Sequence, residues 1–216
     1  TKTQLGTENR FNGKRFYILG TDTMGRDIVA RIVFGARVSL TVGLIAPSIG
    51  LVIGGMLGIL AGFYRGRFES LVVAVMDVIL AFPGIVLLLA ITFYLGPSLK
   101  NIALALGFLA IPAFARVARA NTLTFAEREF VFSARILGQS DLSILVREIL
   151  PNVTMPLIVY ALLVVSYMIV AEGALSFLGL GVPAPTPSWG GMIAEGKEVL
   201  EDAPHVSLIP AFVMYL

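Results

Sequence analysis

Two acidic residues, Asp77 and Glu172, stand inside long apolar stretches of the chain. An ionisable group within a membrane span is costly unless it faces protein or water, so both are candidates for a solute pathway. There they can contact an ammonium group, or Glu172 can face an arginine across an interface. The alternatives are structural: Asp77 reaches the lipid interface, and Glu172 is a protonated or paired packing residue. The sequence leaves these alternatives open.

The residue types that covalent and metal chemistry need are scarce. The 216 residues contain no cysteine and a single histidine, His205, which excludes thiolate nucleophiles and multi-histidine metal sites. The phosphate-binding pattern GxxxxGK[ST] is also absent. We therefore expect no catalytic residue, no metal and no cofactor in this chain, and an intramembrane enzyme is the least favoured class.

The composition predicts an all-α polytopic membrane protein. Hydrophobic residues make up 57% of the chain, charged residues 14%, and the mean hydropathy is +0.89. A soluble domain of this size cannot bury so much apolar surface. The net charge of +2 comes from basic residues that bracket the apolar runs, which indicates a lipid bilayer rather than nucleic acid as the partner.

The apolar runs divide the chain into spans, since roughly 20 apolar residues cross a bilayer core. The predicted spans are 39–63, 71–95, 99–118, 153–180 and a partial span 206–216. The last run is too short to cross, and we expect it to be truncated. Segment 1–38 is polar and ends in a predicted amphipathic surface helix, Asp27–Arg37. The series Gly50, Gly54 and Gly58 allows close helix contact, with packing inside the subunit favoured over packing against a partner.

The basic residues also predict sidedness. By parity, the turn 64–70 and the segment 121–152 lie on one face, and the turn 96–98 and the loop 181–205 lie on the other. Most arginines fall on the first face, which is therefore predicted to be cytoplasmic. Parity places segment 1–38 outside although it is basic, which requires its translocation after a span lost from this chain.

The segment from Glu129 to Gly138 predicts a short docking helix. Phe130, Ala134 and Leu137 would share one face, Gly138 would end the helix, and Asp141 would cap the next one. Such a helix can dock in a groove of a partner protein. The alternative is an amphipathic helix lying in the lipid interface.

This segment resembles the EAA loop of ABC importer permeases. The residues that match in register are Ala134, Gly138, Leu150 and Pro151, whereas Phe132, Ser133 and Glu148 depart from the pattern. The resemblance implies a cytoplasmic coupling helix seated in an ATPase cleft. The coupling residues it implies are Glu129, Phe130, Ser133, Ala134, Leu137, Gly138, Asp141, Leu150 and Pro151.

A second signal is the string Gly20-Thr-Asp-Thr-Met-Gly-Arg-Asp27. The glycines permit a tight turn, and its charged side chains can fold the turn and cap the following helix. The string is similar to the start of dipeptide/oligopeptide/nickel permeases, and the stretches around Asp77 and Glu172 extend the resemblance from about Gly20 to the chain end. It implies contact with a solute-binding protein through Asp22, Gly25, Arg26, Asp27 and Trp189.

The resemblance implies a type I ABC importer (MetI-like) transmembrane domain, here 39–216, with six spans of which the first is absent and the last truncated. It implies import of short peptides, or of nickel or another small solute. The implied partners are a homologous second permease subunit, two ATPase subunits that hold ATP and Mg, and an extracytoplasmic solute-binding protein, in a bacterial or archaeal inner membrane. The competing class is an ion-coupled secondary transporter using Asp77 and Glu172, which predicts an inverted repeat.

Overall fold

The structure is a computed structural model that describes residues 17–215. Helices dominate these residues, and the predicted all-α class is confirmed. In chain order the helices are α1 (Ile28–Ile49), a π-helical turn (Gly50–Gly54), α2 (Gly55–Tyr64), α3 (Gly66–Ala81), α4 (Gly84–Leu95), α5 (Leu99–Ala126), α6 (Glu129–Ile136), α7 (Asp141–Ile144), a second π-helical turn (Leu145–Ile149), α8 (Leu150–Phe177), α9 (Trp189–Lys197) and α10 (His205–Tyr215).

Several helices are long and apolar enough to cross a membrane. They are Ile28–Tyr64, Leu99–Ala126 and Asp141–Phe177, with α3 and α4 forming a fourth span if the bent pair is counted as one. The pair is bent by 83°, where 71–95 was predicted to be a single span. The bend follows from Pro83, which lacks an amide hydrogen and holds the preceding residue, Phe82, in an extended conformation.

The predicted surface helix Asp27–Arg37 is not a separate element. It continues into the first predicted span, because no proline interrupts the chain before Pro47, and the π-helical turn that follows Pro47 carries the helix on to Tyr64. The third predicted span likewise continues beyond residue 118 to Ala126. These spans extend through polar residues that the hydropathy pattern had assigned to loops.

The chain divides into two compact units. One contains the described residues of 17–43, 92–103 and 167–215, and the other contains 44–91 and 104–166. In the second unit the glycine series packs against α5: a Cβ on Gly54 would lie 2.3 Å from the carbonyl oxygen of Ile111, and one on Gly58 would lie 2.2 Å from that of Ala115. The predicted packing of this series within the subunit is confirmed. Later glycines of the series meet later residues of α5, so the helix that carries the series and α5 run parallel, as the predicted parity requires.

In the first unit the start of α1 packs on α9 and α10. Ile28, Met192, Ala203 and Val206 form its buried apolar cluster. The predicted loop 181–205 therefore contains a packed helix, α9. Ser188 caps this helix, because its Oγ accepts a hydrogen bond from the amide of Gly191 at 3.0 Å.

Candidate functional sites

The turn before α1 is folded by its own aspartates. Asp22 Oδ1 accepts hydrogen bonds from the backbone amides of Met24 and Arg26, both at 2.9 Å, and Gly25 occupies the left-handed region with φ +77°. Asp27 Oδ1 accepts from the amide of Val29 at 3.0 Å and so caps α1. The turn and cap predicted from the sequence are confirmed.

The turn is fastened to α9 by four charged side chains. Asp22 Oδ2 accepts from Arg26 Nε at 2.6 Å and from Arg31 Nη1 at 2.5 Å. Glu195 Oε2 accepts from Arg26 Nη2 at 2.7 Å and Arg31 Nη1 at 2.5 Å, and its Oε1 accepts from Arg31 Nη2 at 3.0 Å. Two acids thus balance two bases around Asp22, which is only 2% exposed. No sequence pattern singles out Glu195 for this role.

This network sets the protonation of Asp22. Burial alone would raise the pKa of its carboxyl, but hydrogen bonds from the Arg26 amide and from the guanidinium groups of Arg26 and Arg31 outweigh burial, so the pKa lies below its ordinary value. A lowered pKa means that the charged form is favoured in the folded state. Asp22 therefore stabilises the turn as a carboxylate.

Trp189 is held against α1. Its indole Nε1 donates to the carbonyl oxygen of Ile32 at 3.0 Å, and its backbone amide donates to Ser39 Oγ at 3.2 Å. These bonds orient the first turn of α9. The exposed apolar side chains near the turn are instead Ile18 and Met24, which are available to a partner protein.

Glu172 lies on α8 and is fully buried, at 0% exposure. Ser39 Oγ donates to its Oε2 at 3.3 Å, and Ser176 Oγ donates to its Oε1 at 2.9 Å. Because Ser39 also accepts from the Trp189 amide, the carboxyl joins α1, α8 and α9. This geometry favours the packing alternative over a pathway role for Glu172.

The predicted docking helix is present as α6. It ends in a Schellman turn, in which the amide of Gln139 donates to the Ala134 carbonyl at 3.1 Å and that of Gly138 donates to the Arg135 carbonyl at 3.0 Å. Gly138 has φ +76°, as a residue at this position requires. The predicted cap is wrong in one respect: Ser140, not Asp141, caps α7, because Asp141 is already the first helical residue.

The faces of α6 differ from the predicted ones. Val131 and Ala134 are buried, so Ala134 packs inward and is not presented to a partner. The outward apolar side chains are Phe132 at 68%, Ile136 at 71% and Leu137 at 78% exposure. Phe132 and Ile136 are four residues apart and share a face, and neither was singled out as a coupling residue.

The ends of α2 and α5 lie close together beside α6. Arg65 Nη2 donates to Glu127 Oε1 at 2.8 Å, and the Arg135 guanidinium lies over the Phe63 ring at 5.9 Å from its centroid. The turn 64–70 and the start of segment 121–152 are therefore on the same side, as parity predicted. The remaining predicted coupling residues are all exposed: Glu129, Phe130 and Ser133 on α6, and Leu150 and Pro151 at the start of α8.

Asp77 belongs to a charged groove between α3 and α5. Arg116 Nη2 donates to Asp77 Oδ1 at 2.6 Å, and Arg119 Nε donates to Glu69 Oε1 at 2.7 Å. Both arginines of α5 therefore pair with acids of α3. The two pairs lie beside a cavity of about 240 Å³ lined by Gly58, Val72, Val73, Met76, Ala115, Arg116 and Arg119.

Comparison with known proteins agrees with this architecture. The family model described as "Binding-protein-dependent transport system inner membrane component" matches residues 54–216. A glutathione transport system permease protein, GsiD, of Pectobacterium atrosepticum is 39% identical over 198 residues, which cover 92% of this chain and 66% of that protein. The protein of the same name from Escherichia coli O6:K15:H31 is 43% identical over 197 residues, covering 91% of this chain and 65% of that protein.

A solved structure of the MetNI methionine ABC transporter, in inward-facing conformations, has the same fold. The TM-score is 0.72 at 18% identity, and the match covers 87% of this chain and 91% of that chain. The chain spans about two thirds of the length of the GsiD relatives. By its sequence matches and its fold, the chain belongs to the family of binding-protein-dependent transport system inner membrane components.

Proposed function

We propose that this chain is the non-catalytic permease subunit of an ATP-driven importer of short peptides. It forms half of the translocation pathway, and cytoplasmic ATPase subunits drive its movement. The family supports the permease role, and the GsiD relatives, named for the transport of glutathione, support a peptide substrate. An ion-coupled secondary transporter is less well supported, since Glu172 is packed between helices and paired with hydroxyls.

One observation carries the coupling role. The outer side of α6 presents Phe132, Ile136 and Leu137 to solvent, while the Schellman turn at Gly138 holds the end of the helix in one conformation. A short helix with an unpartnered apolar tip is the geometry expected for helix-in-groove docking. The groove would belong to an ATPase subunit, which would supply ATP and Mg.

The other partners follow from the same proposal. A homologous second permease would complete the pathway, and a solute-binding protein would contact the surface around the turn Gly20–Asp27 and α9. There the Asp22 network holds the backbone rigid, and Met24 is exposed at the tip. The complex would lie in a bacterial or archaeal inner membrane with α6 in the cytoplasm, as the arginine distribution indicates.

The test is a pair of substitutions at Phe132 in the complete, reconstituted transporter. Phe132→Asp places a charge at the docking face, whereas Phe132→Leu keeps an apolar side chain there. An aromatic hot spot at an interface contributes about 2 kcal/mol or more, so with Phe132 in that role peptide uptake should fall about 30-fold in the Asp variant. The Leu variant should retain most of its activity.

Two measurements decide the outcome. Copurification with the ATPase subunits should weaken in Phe132→Asp, and ATP hydrolysis stimulated by the loaded binding protein should fall in parallel with uptake. Normal assembly and uptake in the Asp variant would contradict the coupling role. Peptide uptake by the intact transporter without an ATPase subunit would contradict the proposed function as a whole.

A further inference from the structure

Helix α3 exposes two different stripes along its length. One stripe is large and apolar, and it consists of Leu71, Val75 and Val78, with Phe82 following just beyond the end of the helix. The other is small or charged, and it consists of Ser70, Ala74, Asp77 and Ala81, all of which are exposed. Each stripe follows the helical spacing of four, three and four residues, so the two run side by side. Large apolar side chains suit lipid, whereas the second stripe needs a different neighbour.

The Asp77–Arg116 pair stands in the middle of the second stripe. Its side chains are 56% and 59% exposed. Asp77 lies six residues, or about 9 Å along the helix, beyond Leu71, where the predicted apolar span begins, which places it inside a bilayer core of about 30 Å. Charged side chains at such a depth face water or protein rather than lipid. The exposed pair therefore lies on a side of α3 that faces water or a second protein chain, and not lipid.

The neighbouring groups make this groove electrically balanced. Arg119 and Glu69 form a second, less exposed pair beside the first, with Arg119 lining the same cavity as Arg116. Two guanidinium groups thus face two carboxylates across α3 and α5. The groove has no net charge when it is empty, and each charged group already has a partner.

We propose that Asp77 and Arg116 form a subsite for the charged ends of a short peptide, with the ammonium group on Asp77 and a carboxylate on Arg116. This inference rests on the proposed function, and it names the chemistry that the pathway recognises. A zwitterionic solute can exchange into the pair without changing the net charge of the groove. When the solute leaves, Asp77 and Arg116 pair again, so no unpaired charge remains in the membrane.

The absence of cysteine in the 216 residues allows a direct test of the aqueous face. Ala74→Cys and Ala81→Cys place a thiol on the small stripe, and Val75→Cys and Val78→Cys place one on the apolar stripe. In the reconstituted transporter, a membrane-impermeant, water-soluble thiol reagent should label the first pair at least about tenfold faster, because thiolate formation needs water. Equal labelling of the two stripes, or faster labelling of the valine positions, would overturn the proposal.

Uptake tests the recognition itself. Arg116→Gln and Asp77→Asn should each lower uptake of a zwitterionic dipeptide about tenfold or more, since each removes a charge-assisted hydrogen bond. Arg67→Gln is the matched control, because Arg67 is an exposed arginine on the same helix outside the groove.

The double variant Asp77→Asn with Arg116→Gln separates recognition from a structural ion pair. It removes both charges and leaves neither unpaired, so a purely structural pair predicts normal uptake, whereas a recognition site predicts the same loss as in the single variants. Wild-type uptake in the double variant would refute this subsite while leaving the permease function intact. Failure of the wild-type transporter to take up any peptide would instead contradict the proposed function.

Discussion

Because α2 packs on α5, we expect opposite effects from substitutions at two neighbouring glycines of α2. A Cβ added to Gly55 would lie 3.5 Å from Leu157 Cδ1, an ordinary van der Waals contact. A Cβ added to Gly58 would lie 2.2 Å from the backbone oxygen of Ala115 and 2.7 Å from Ala118 Cβ. Both substitutions to alanine gain up to about 1 kcal/mol of helix propensity. Only Gly58→Ala must also push α5 away.

The difference between the two variants isolates this packing cost, because the propensity gain is common to both. Overpacking costs about 1–3 kcal/mol, and the obstacle at Gly58 is backbone that cannot rotate away. Gly55→Ala should be neutral or slightly stabilising, and Gly58→Ala should be less stable than Gly55→Ala by that amount. For a chain of this size each kcal/mol shifts Tm by about 2–4 °C.

Thermal unfolding of the purified complex in detergent measures the difference. The wild type and both variants should be compared at one protein and detergent concentration, since partner binding also shifts Tm. Because Gly58 lines the cavity beside Arg116 and Arg119, uptake should fall with Gly58→Ala and not with Gly55→Ala. Equal Tm values for the two variants, or a lower value for Gly55→Ala, would refute the close approach of α2 to α5.

Three further predictions concern buried or strained positions. Asp22→Asn should lower Tm at pH 7. The difference in Tm between the variant and the wild type should shrink as the pH falls below about 4, because the lowered pKa of Asp22 in the folded state gives a stabilisation that is lost once the carboxyl is protonated. Gly138→Ala should lower the stability of the helix end by about 1–2 kcal/mol, because alanine is strained at this positive φ, and Gly138→Asn should lower it less. Hydrogen exchange should therefore be faster at the Gln139 amide in the alanine variant. Glu172→Gln should transport normally, whereas Glu172→Ala should lose about 1–3 kcal/mol of stability, because Ser39 and Ser176 lose their hydrogen-bond acceptor. Loss of uptake in a stable Glu172→Gln variant would contradict the packing role.

The features that sequence analysis predicted correctly are local ones. The turn around Gly25 and the helix end at Gly138 depend on residues close together in the chain, and the glycine series from Gly50 is itself a local pattern although it packs on α5. In each case glycine is required for a positive φ or for close approach, which restricts the interpretation to one geometry. The span boundaries were less accurate, because hydropathy reports where a helix meets water and not where the helix ends.

The orientation of α6 shows why local pattern fails elsewhere. Phe130, Val131 and Phe132 are consecutive apolar residues, so helical periodicity alone does not decide which of them points inward. The structure buries Val131 and exposes Phe132. Contacts between residues that are distant in the sequence are equally difficult to predict. Glu195 pairs with Arg31 across 164 positions, and no motif links the two segments.

Asp77 and Glu172 look alike in the sequence, as single acids within apolar runs, yet their surroundings separate them. Glu172 is fully buried and is enclosed by the hydroxyl groups of Ser39 and Ser176. Asp77 is exposed and pairs with an arginine, so its carboxylate lies at a surface rather than in the core. The neighbouring helix therefore separates the two acids, since Ser39 of α1 bonds to Glu172 while Arg116 of α5 pairs with Asp77. A pathway residue in this family of folds is better sought as an exposed ion pair at membrane depth than as an acid alone.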